Sequence, residues 1–237
     1  MGLSAAECAE LAGRLARAGI DIIKDDHGLT DQPFARFEER VVLCAKAVRR
    51  ANWDTGGQSI YMPNVSAPAD ELDRRVALAR HAGAGGLMIA PGLVGFDTVR
   101  RLSQDDRARL PIMAHPSFLG GFTTQPESGL GFGVLYGTLS RLAGADAVIF
   151  PNYGGRFSFS REDCAEIAAA CAEPLGRTHP IFPTPRRRDG SRPARGDGEG
   201  LRPRGHLSHR RRALSARDPR RGLPRLQNGG GNRPPRG

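Results

Sequence analysis

Apolar residues recur at three- and four-residue spacing from position 4 to 18, which predicts a helix with Ser4 placed to cap its start and Gly19 to stop its end. The short apolar run 20–23 then ends in charge, the mark of a buried strand. Further helical spacing marks 33–52 (Pro33 in its first turn), 68–81 (closed by Gly83), 96–103, 132–142 and 161–171. Strand-like runs fall between them at 58–63, 86–90, 110–114, 145–150 and 180–183. Strands alternating with helices in this way predict βαβ units and a parallel sheet. Six of each within the first 185 residues match the pitch of a (β/α)8 TIM barrel. The expected fold class is therefore α/β, an incomplete barrel, with a doubly wound open sheet as the competing arrangement.

Polar residues gather just past the strand ends: Lys24-Asp-Asp-His27, Asn64, His115, and Asn152 to Arg156. A parallel barrel builds its active site there, because the loops after the strands converge on one mouth. Lys24 stands out by composition. The chain has 33 arginines and two lysines, so a lysine at the end of a buried strand suggests that an amine is needed, not merely a cation. Asp25 and Asp26 follow at once, and oxygen ligands of this kind suit a hard divalent cation such as Mg2+. A salt-bridged strand end is the plain alternative. His115 and the Gly-Gly-Arg156 loop are, by themselves, more ordinary features.

Charge divides the chain in two. The last 52 residues hold sixteen arginines against four acids, a net +12, so the whole-chain +10 leaves residues 1–185 at −2. All fourteen aromatic residues lie in that first part. The tail thus has no rings for base stacking and no lysine, which argues against nucleic-acid binding, and too little apolar content for a core, which predicts disorder. Cys8, Cys44, Cys164 and Cys171 form no metal-ligand spacing, and each falls in a predicted helix, where packing is the expected role. With no signal peptide and no apolar run of membrane-spanning length, a reduced cytoplasmic protein is expected, with no membrane partner.

Gly19-Ile-Asp-Ile-Ile-Lys-Asp-Asp-His27, followed by Gln32-Pro33-Phe34, resembles the RuBisCO large-chain segment in which a strand ends Lys-x-Asp-Glu. The resemblance implies a Mg2+ site with a carbamate on Lys24, Asp26 as ligand, and His27 in the position of the glutamate. Met1-Gly-Leu-Ser-Ala resembles the stretch after the first barrel strand, and Leu110-Pro-Ile-Met-Ala-His115 the fifth strand with its catalytic, substrate-binding histidine. Where that family grips phosphate with an arginine, this chain has Pro116, which has neither charge nor N–H. Asn152-Tyr-Gly-Gly-Arg156 resembles the mobile sixth loop, with Arg156 in place of the lysine that stabilises carboxylation. Asn64, at its strand end, joins His115 and Arg156 as a catalytic candidate.

The departures at His27, Pro116 and Arg156 point within the family to the RuBisCO-like (type IV) proteins. These enolise, isomerise or decarboxylate phosphorylated keto-sugars as homodimers with Mg2+. Carboxylation of ribulose bisphosphate is the alternative activity, and a non-catalytic basic remnant the alternative class. The resemblance covers strands two to seven of the C-terminal barrel domain, residues 1–185, and 186–237 is an Arg/Gly/Pro-rich tail. A fragment without the N-terminal domain and the remaining strands is expected to leave sheet edges open, to aggregate, and to turn over little or no substrate.

The resemblance stops after Pro183-Thr-Pro185, where the family carries glycine-rich turns whose N–H groups hold phosphate. Arg186-Arg-Arg-Asp-Gly190 can be encoded CGG CGG CGG GAT GGC, which read one base later gives Gly-Gly-Gly-Met. The same shift lets 206–214 read Leu-Ile-Gly-Gly-Ala-Leu. A single-base frameshift near codon 185 is therefore expected. Sequencing the locus should reveal two glycine-rich turns, in order, in the shifted frame; an unrelated reading there would mean that the basic tail is genuine.

Overall fold

The computed structural model describes residues 2–107, 109–123, 129–155, 157 and 159–186. The basic tail from 187 onward, and its expected disorder, lie outside the described residues. Among those residues there are six strands: β1 (Ile22–Lys24), β2 (Ile60–Met62), β3 (Leu87–Ile89), β4 (Ile112–Ala114), β5 (Ala147–Pro151) and β6 (Phe182–Arg186). The helices between them are α1 (Ala5–Arg17), α2 (Phe37–Thr55), α3 (Ala69–Ala82), α4 (Pro91–Val94), α5 (Phe96–Gln104), α6 (Leu139–Leu142) and α7 (Arg161–Ala172). A π-helical segment, Gly133–Thr138, runs directly into α6.

All strand pairs are parallel. β1 pairs with β2, and β3, β4, β5 and β6 pair in that order. A bridge between Asn64 and Met88 joins the two groups, with Met88 N–H donating to Pro63 O and Val65 N–H to Met88 O, both at 2.9 Å. The strands thus follow chain order, which is how a (β/α)8 barrel winds; a doubly wound sheet would reverse its order partway. The order of the six strands agrees with that architecture.

Side chains alternate between the two faces of each strand, and this parity sorts the core. On one face Met62, Met88, Met113, Ala147 and Ile149 pack together, with Ile60 and Phe182 beside them. On the other face Ile23, Tyr61, Leu87, Ile89 and Ile112 meet the helices, in particular Val41, Val48, Leu72 and Val76. A further cluster holds Val148 and Phe150 against Leu135, Cys164, Ile167 and Cys171. The four cysteines are free thiols on α1, α2 and α7, as packing would have them. Cys44 and Cys171 are pushed up to about 12 by burial and so stay protonated.

Helix ends with local signals fall where expected. The Ser4 hydroxyl accepts the Glu7 N–H and the Glu7 carboxylate accepts the Ser4 N–H, a complete capping box. Gly19, at φ 81°, ends α1 in a left-handed turn, with Ile20 N–H donating to Leu15 O. The start of α2 is different. Helix was expected from 33, but it begins at Phe37, because Gln32 and Ala35 close a turn of their own and Asp31 Oδ1 accepts the Phe37 N–H. The run 132–142 is helical but begins as a π-turn. There α7 passes so close that a Cβ on Gly137 would lie 2.6 Å from Ala170 Cβ.

The segment between β1 and α2 is held by one guanidinium. Arg40, fully buried, donates to Asp25 Oδ2 (3.2 Å), Ala35 O (2.6 Å), Leu29 O (3.2 Å) and Thr30 O (2.7 Å), and lies over the Phe37 ring. Removing one member of a buried ion pair strands the other in low dielectric, which typically costs about 3–5 kcal/mol. Arg40→Ala should lower unfolding stability by that amount in urea titrations. A loss below about 1 kcal/mol, the range of surface pairs, would show that the clamp carries little.

Candidate active site at the strand ends

Parity also decides which side chains reach the mouth. Lys24 lies two residues after Ile22, His115 two after Met113, and Arg186 two after Thr184, so all three fall on the methionine-lined face, Lys24 and Arg186 as the last residues of their strands and His115 just past its own. Asp25 falls on the opposite face. Its carboxylate is buried and accepts from Tyr61 Oη (2.7 Å), Arg40 Nε (3.2 Å) and the Asn64 backbone N–H (3.1 Å). Burial raises its pKa, and the charge of Arg40 and the donors from Tyr61 and Asn64 oppose that rise.

Lys24 Nζ donates to the Asp25 carbonyl at 3.0 Å. The amine is reachable by solvent but crowded by protein; lost hydration lowers its pKa, Asp26 and Asp25 oppose this, and the charge of Arg186 adds to it. Asp26 is exposed, accepts the Gly28 N–H at 2.9 Å, and lies 3.4 Å from His27 Nδ1. Partial burial would raise its pKa, but the Gly28 N–H and the positive fields of His27, Lys24 and His115 together lower it.

His27 lies flat on His115, ring centres 4.9 Å apart and planes 12° from parallel. The Ser117 backbone N–H donates to His115 Nδ1 at 3.2 Å, and Ser117 Oγ lies 2.9 Å from the same nitrogen. A backbone N–H can only donate, so Nδ1 is an acceptor and the ring proton is on Nε2. Desolvation, then the charges of Lys24 and His27, lower the His115 pKa from 6.5 to about 4. The ring is therefore a neutral N–H donor at pH 7.

Asn64 is a brace. Its Nδ2 donates to the His27 carbonyl (2.9 Å), its Oδ1 accepts the Ser66 N–H (3.2 Å), and its own N–H goes to Asp25. Lys24, Asp26, His27, His115 and Asn64 thus come together; Arg156 lies outside the described residues. Sequence reasoning missed Arg40, Tyr61 and Ser117. Arg40 had a signal, since it interrupts the apolar face formed by Phe37, Val41, Cys44 and Val48.

The donors present do not fit Mg2+ as they stand. Among the described residues, no three His, Cys, Asp or Glu side chains converge as ligands. Asp25 is committed to Arg40 and Tyr61, so among the described residues of this cluster Asp26 is the one carboxylate left, beside Lys24 and a nitrogen ligand softer than this ion prefers.

Parallel βα units in chain order, with Lys24, His27 and His115 gathered at the strand ends, define an α/β protein whose strand order agrees with a barrel. Residues 1–158 match the catalytic domain of the ribulose bisphosphate carboxylase large chain, and the chain belongs to that family. It is 40% identical over 184 residues to 5-methylthioribulose-1-phosphate isomerase of Rhodospirillum rubrum, covering 78% of this chain and 47% of the relative. It is 34% identical over 185 residues to 2,3-diketo-5-methylthiopentyl-1-phosphate enolase of Microcystis aeruginosa, covering 78% and 47%. The crystal structure of a Rubisco-like protein from Rhodopseudomonas palustris superposes with a TM-score of 0.70 at 40% identity, over 78% of this chain and 51% of that one. The chain spans about half the length of the relatives it matches. No helix of the described residues is long and apolar enough to cross a membrane.

The His115 environment predicts a pH dependence. An imidazole that titrates near 6.5 unfolded and about 4 folded contributes stability that is complete above pH 6.5 and is lost as pH falls through 4. The melting temperature should therefore fall between pH 6.5 and 4, less steeply in His115→Gln. The His115 ring proton should titrate near pH 4 by NMR. A midpoint near 6.5 would contradict the buried, N–H-donating ring.

Proposed function

We propose that residues 1–185 carry part of the catalytic domain of a RuBisCO-like enzyme that removes a proton beside the carbonyl of a phosphorylated keto-sugar. The outcome is enolisation, isomerisation or decarboxylation. The observation that carries this reading is the neutral His115, its Nε2 proton fixed by Ser117, at the strand ends beside Lys24. Transfer of the proton next to the ketone to a base, which is none of Lys24, His27 or His115 in this reading, puts negative charge on the carbonyl oxygen. Preorganised N–H donors aimed at that oxygen stabilise the transition state more than the ground state. His115 supplies one such donor and Lys24 a cation, while Asn64 and Arg40 hold the His27 loop so that neither has to reorganise.

Arg156 is proposed to bind a substrate oxyanion, and the intact enzyme to be a homodimer. The Mg2+ and Lys24 carbamate implied by the family resemblance find poor support in the donor set, and no step here depends on them. Similarity to these two relatives extends over 184 or 185 residues, 78% of this chain, and a frame change near codon 185 is proposed to account for the remainder. Carboxylation is the less favoured activity, because Pro116 and Arg156 replace the residues it would use.

The test is solvent-deuterium exchange, followed by NMR, into 5-methylthioribulose 1-phosphate and ribulose bisphosphate. Joined to a family N-terminal domain and with its frame restored after codon 185, the protein should exchange the proton next to the carbonyl of one of them. His115→Gln should slow exchange by about 10²-fold, the scale of a lost oxyanion donor. The 237-residue chain should exchange little. Absence of exchange by the restored protein on either compound would defeat the reading.

A further inference from the structure

We propose that the Lys24–His27–His115 cluster binds an oxyanion directly, without a divalent cation and without a carbamate on Lys24. The ligand class is a small planar or tetrahedral oxyanion: a carboxylate, an enediolate or a phosphate. The proposal rests on the reading above for where substrate oxygens sit, but not on turnover.

Three features carry it. Strand parity divides the two aspartates: Asp25 serves Arg40, Tyr61 and the Asn64 N–H on the helix side, so it is withdrawn from the mouth. The remaining carboxylate, Asp26, already accepts the Gly28 N–H and lies against His27. A lone, partly committed carboxylate is a weak anchor for a hard dication, which needs several oxygens in near-octahedral array.

The histidines complete the reversal. Where the family resemblance calls for a glutamate, His27 brings no carboxylate, and its ring lies face to face on His115. His115 directs an N–H, not a lone pair, away from Ser117. The mouth therefore presents donors and positive charge: the Lys24 amine, the His115 Nε2–H, and the field of Arg186 acting on both. Donors and cations collected at strand ends suit an anion, whereas a dication would face Lys24 as a like charge.

The experiment uses the full chain, with oxalate and inorganic phosphate as probes in calorimetric titrations containing EDTA. One site is expected, weakened at least tenfold in Lys24→Gln and in His115→Gln, with folding of both checked by circular dichroism. Parallel titrations with Mn2+ and 13C-bicarbonate should give no stoichiometric Mn2+ signal by EPR and no carbamate resonance by NMR. The proposal is overturned by a stoichiometric Mn2+ site that Asp26→Asn removes, by a carbamate signal lost in Lys24→Gln, or by probe binding that needs Mn2+. Absence of probe binding under every condition overturns it as well. Oxalate bound by the full chain, with no deuterium exchange by the restored protein, would sink the enolising function and leave the oxyanion site standing. Exchange abolished by EDTA would do the reverse.

Discussion

The buried pair between Arg40 and Asp25 joins elements that otherwise have no reason to keep a fixed relation. Both charges are out of water, and such pairs recover their desolvation cost only when every remaining donor and acceptor is satisfied. Here they are. Asp25 takes a phenol from β2 and a backbone N–H from the bridge to β3, and Arg40 places its other N–H groups on three carbonyls of the segment leading to α2. The pair thus ties β1, β2, the β2–β3 junction and α2 at one point. Arg75, stacked over the same Phe37 ring, extends the contact toward α3.

The site depends on that point, because the residues on either side of Asp25 in sequence are Lys24 and Asp26. Once the Asp25 carboxylate is fixed on the helix side of the sheet, alternation leaves Lys24 on the other side, over the methionine layer. The main chain after it is then short of freedom. Asn64 holds the His27 carbonyl, and the His27 ring rests on His115 from β4. A side chain that touches no part of the mouth therefore governs the geometry of all that do. Precision in a site comes from such supporting contacts more than from the reacting groups themselves.

Local features were legible in the sequence, and long-range ones were not. Ser4, Gly19 and Gly83 mark helix ends through hydrogen bonds and dihedrals confined to a few neighbouring residues, so composition alone reveals them. The beginning of α2 was misjudged because its capping carboxylate, Asp31, stands six residues before the N–H it accepts, across a turn that Arg40 helps to hold. The π-turn at Gly133–Thr138 is a response to the close passage of α7, which no window of sequence contains. Lys24, Asp26, His27 and His115 could be placed at strand ends from pattern. The different fates of Asp25 and Asp26, by contrast, follow from strand parity and could have been read. The stack of His27 on His115 could not, since only the fold brings the two together.

The residues that depart from the family pattern act together. Pro116 stands where the family resemblance calls for an arginine, and its fixed φ helps set the tight turn after His115 in which Leu119 N–H returns to Pro116 O. That turn directs the Ser117 N–H into His115 Nδ1 and leaves Phe118 at φ 69°, a conformation costly for a bulky side chain and sustained only when the surroundings impose it. What the turn obtains is a histidine with a single tautomer. His27, in the place of a charged ligand, then lies against that same ring. The family resemblance places a phosphate-gripping cation at the first position and a metal-binding anion at the second. Their replacements leave a pair of stacked imidazoles near Lys24, one with its proton assigned by the backbone, and this is the arrangement from which the proposed metal-free oxyanion site is argued.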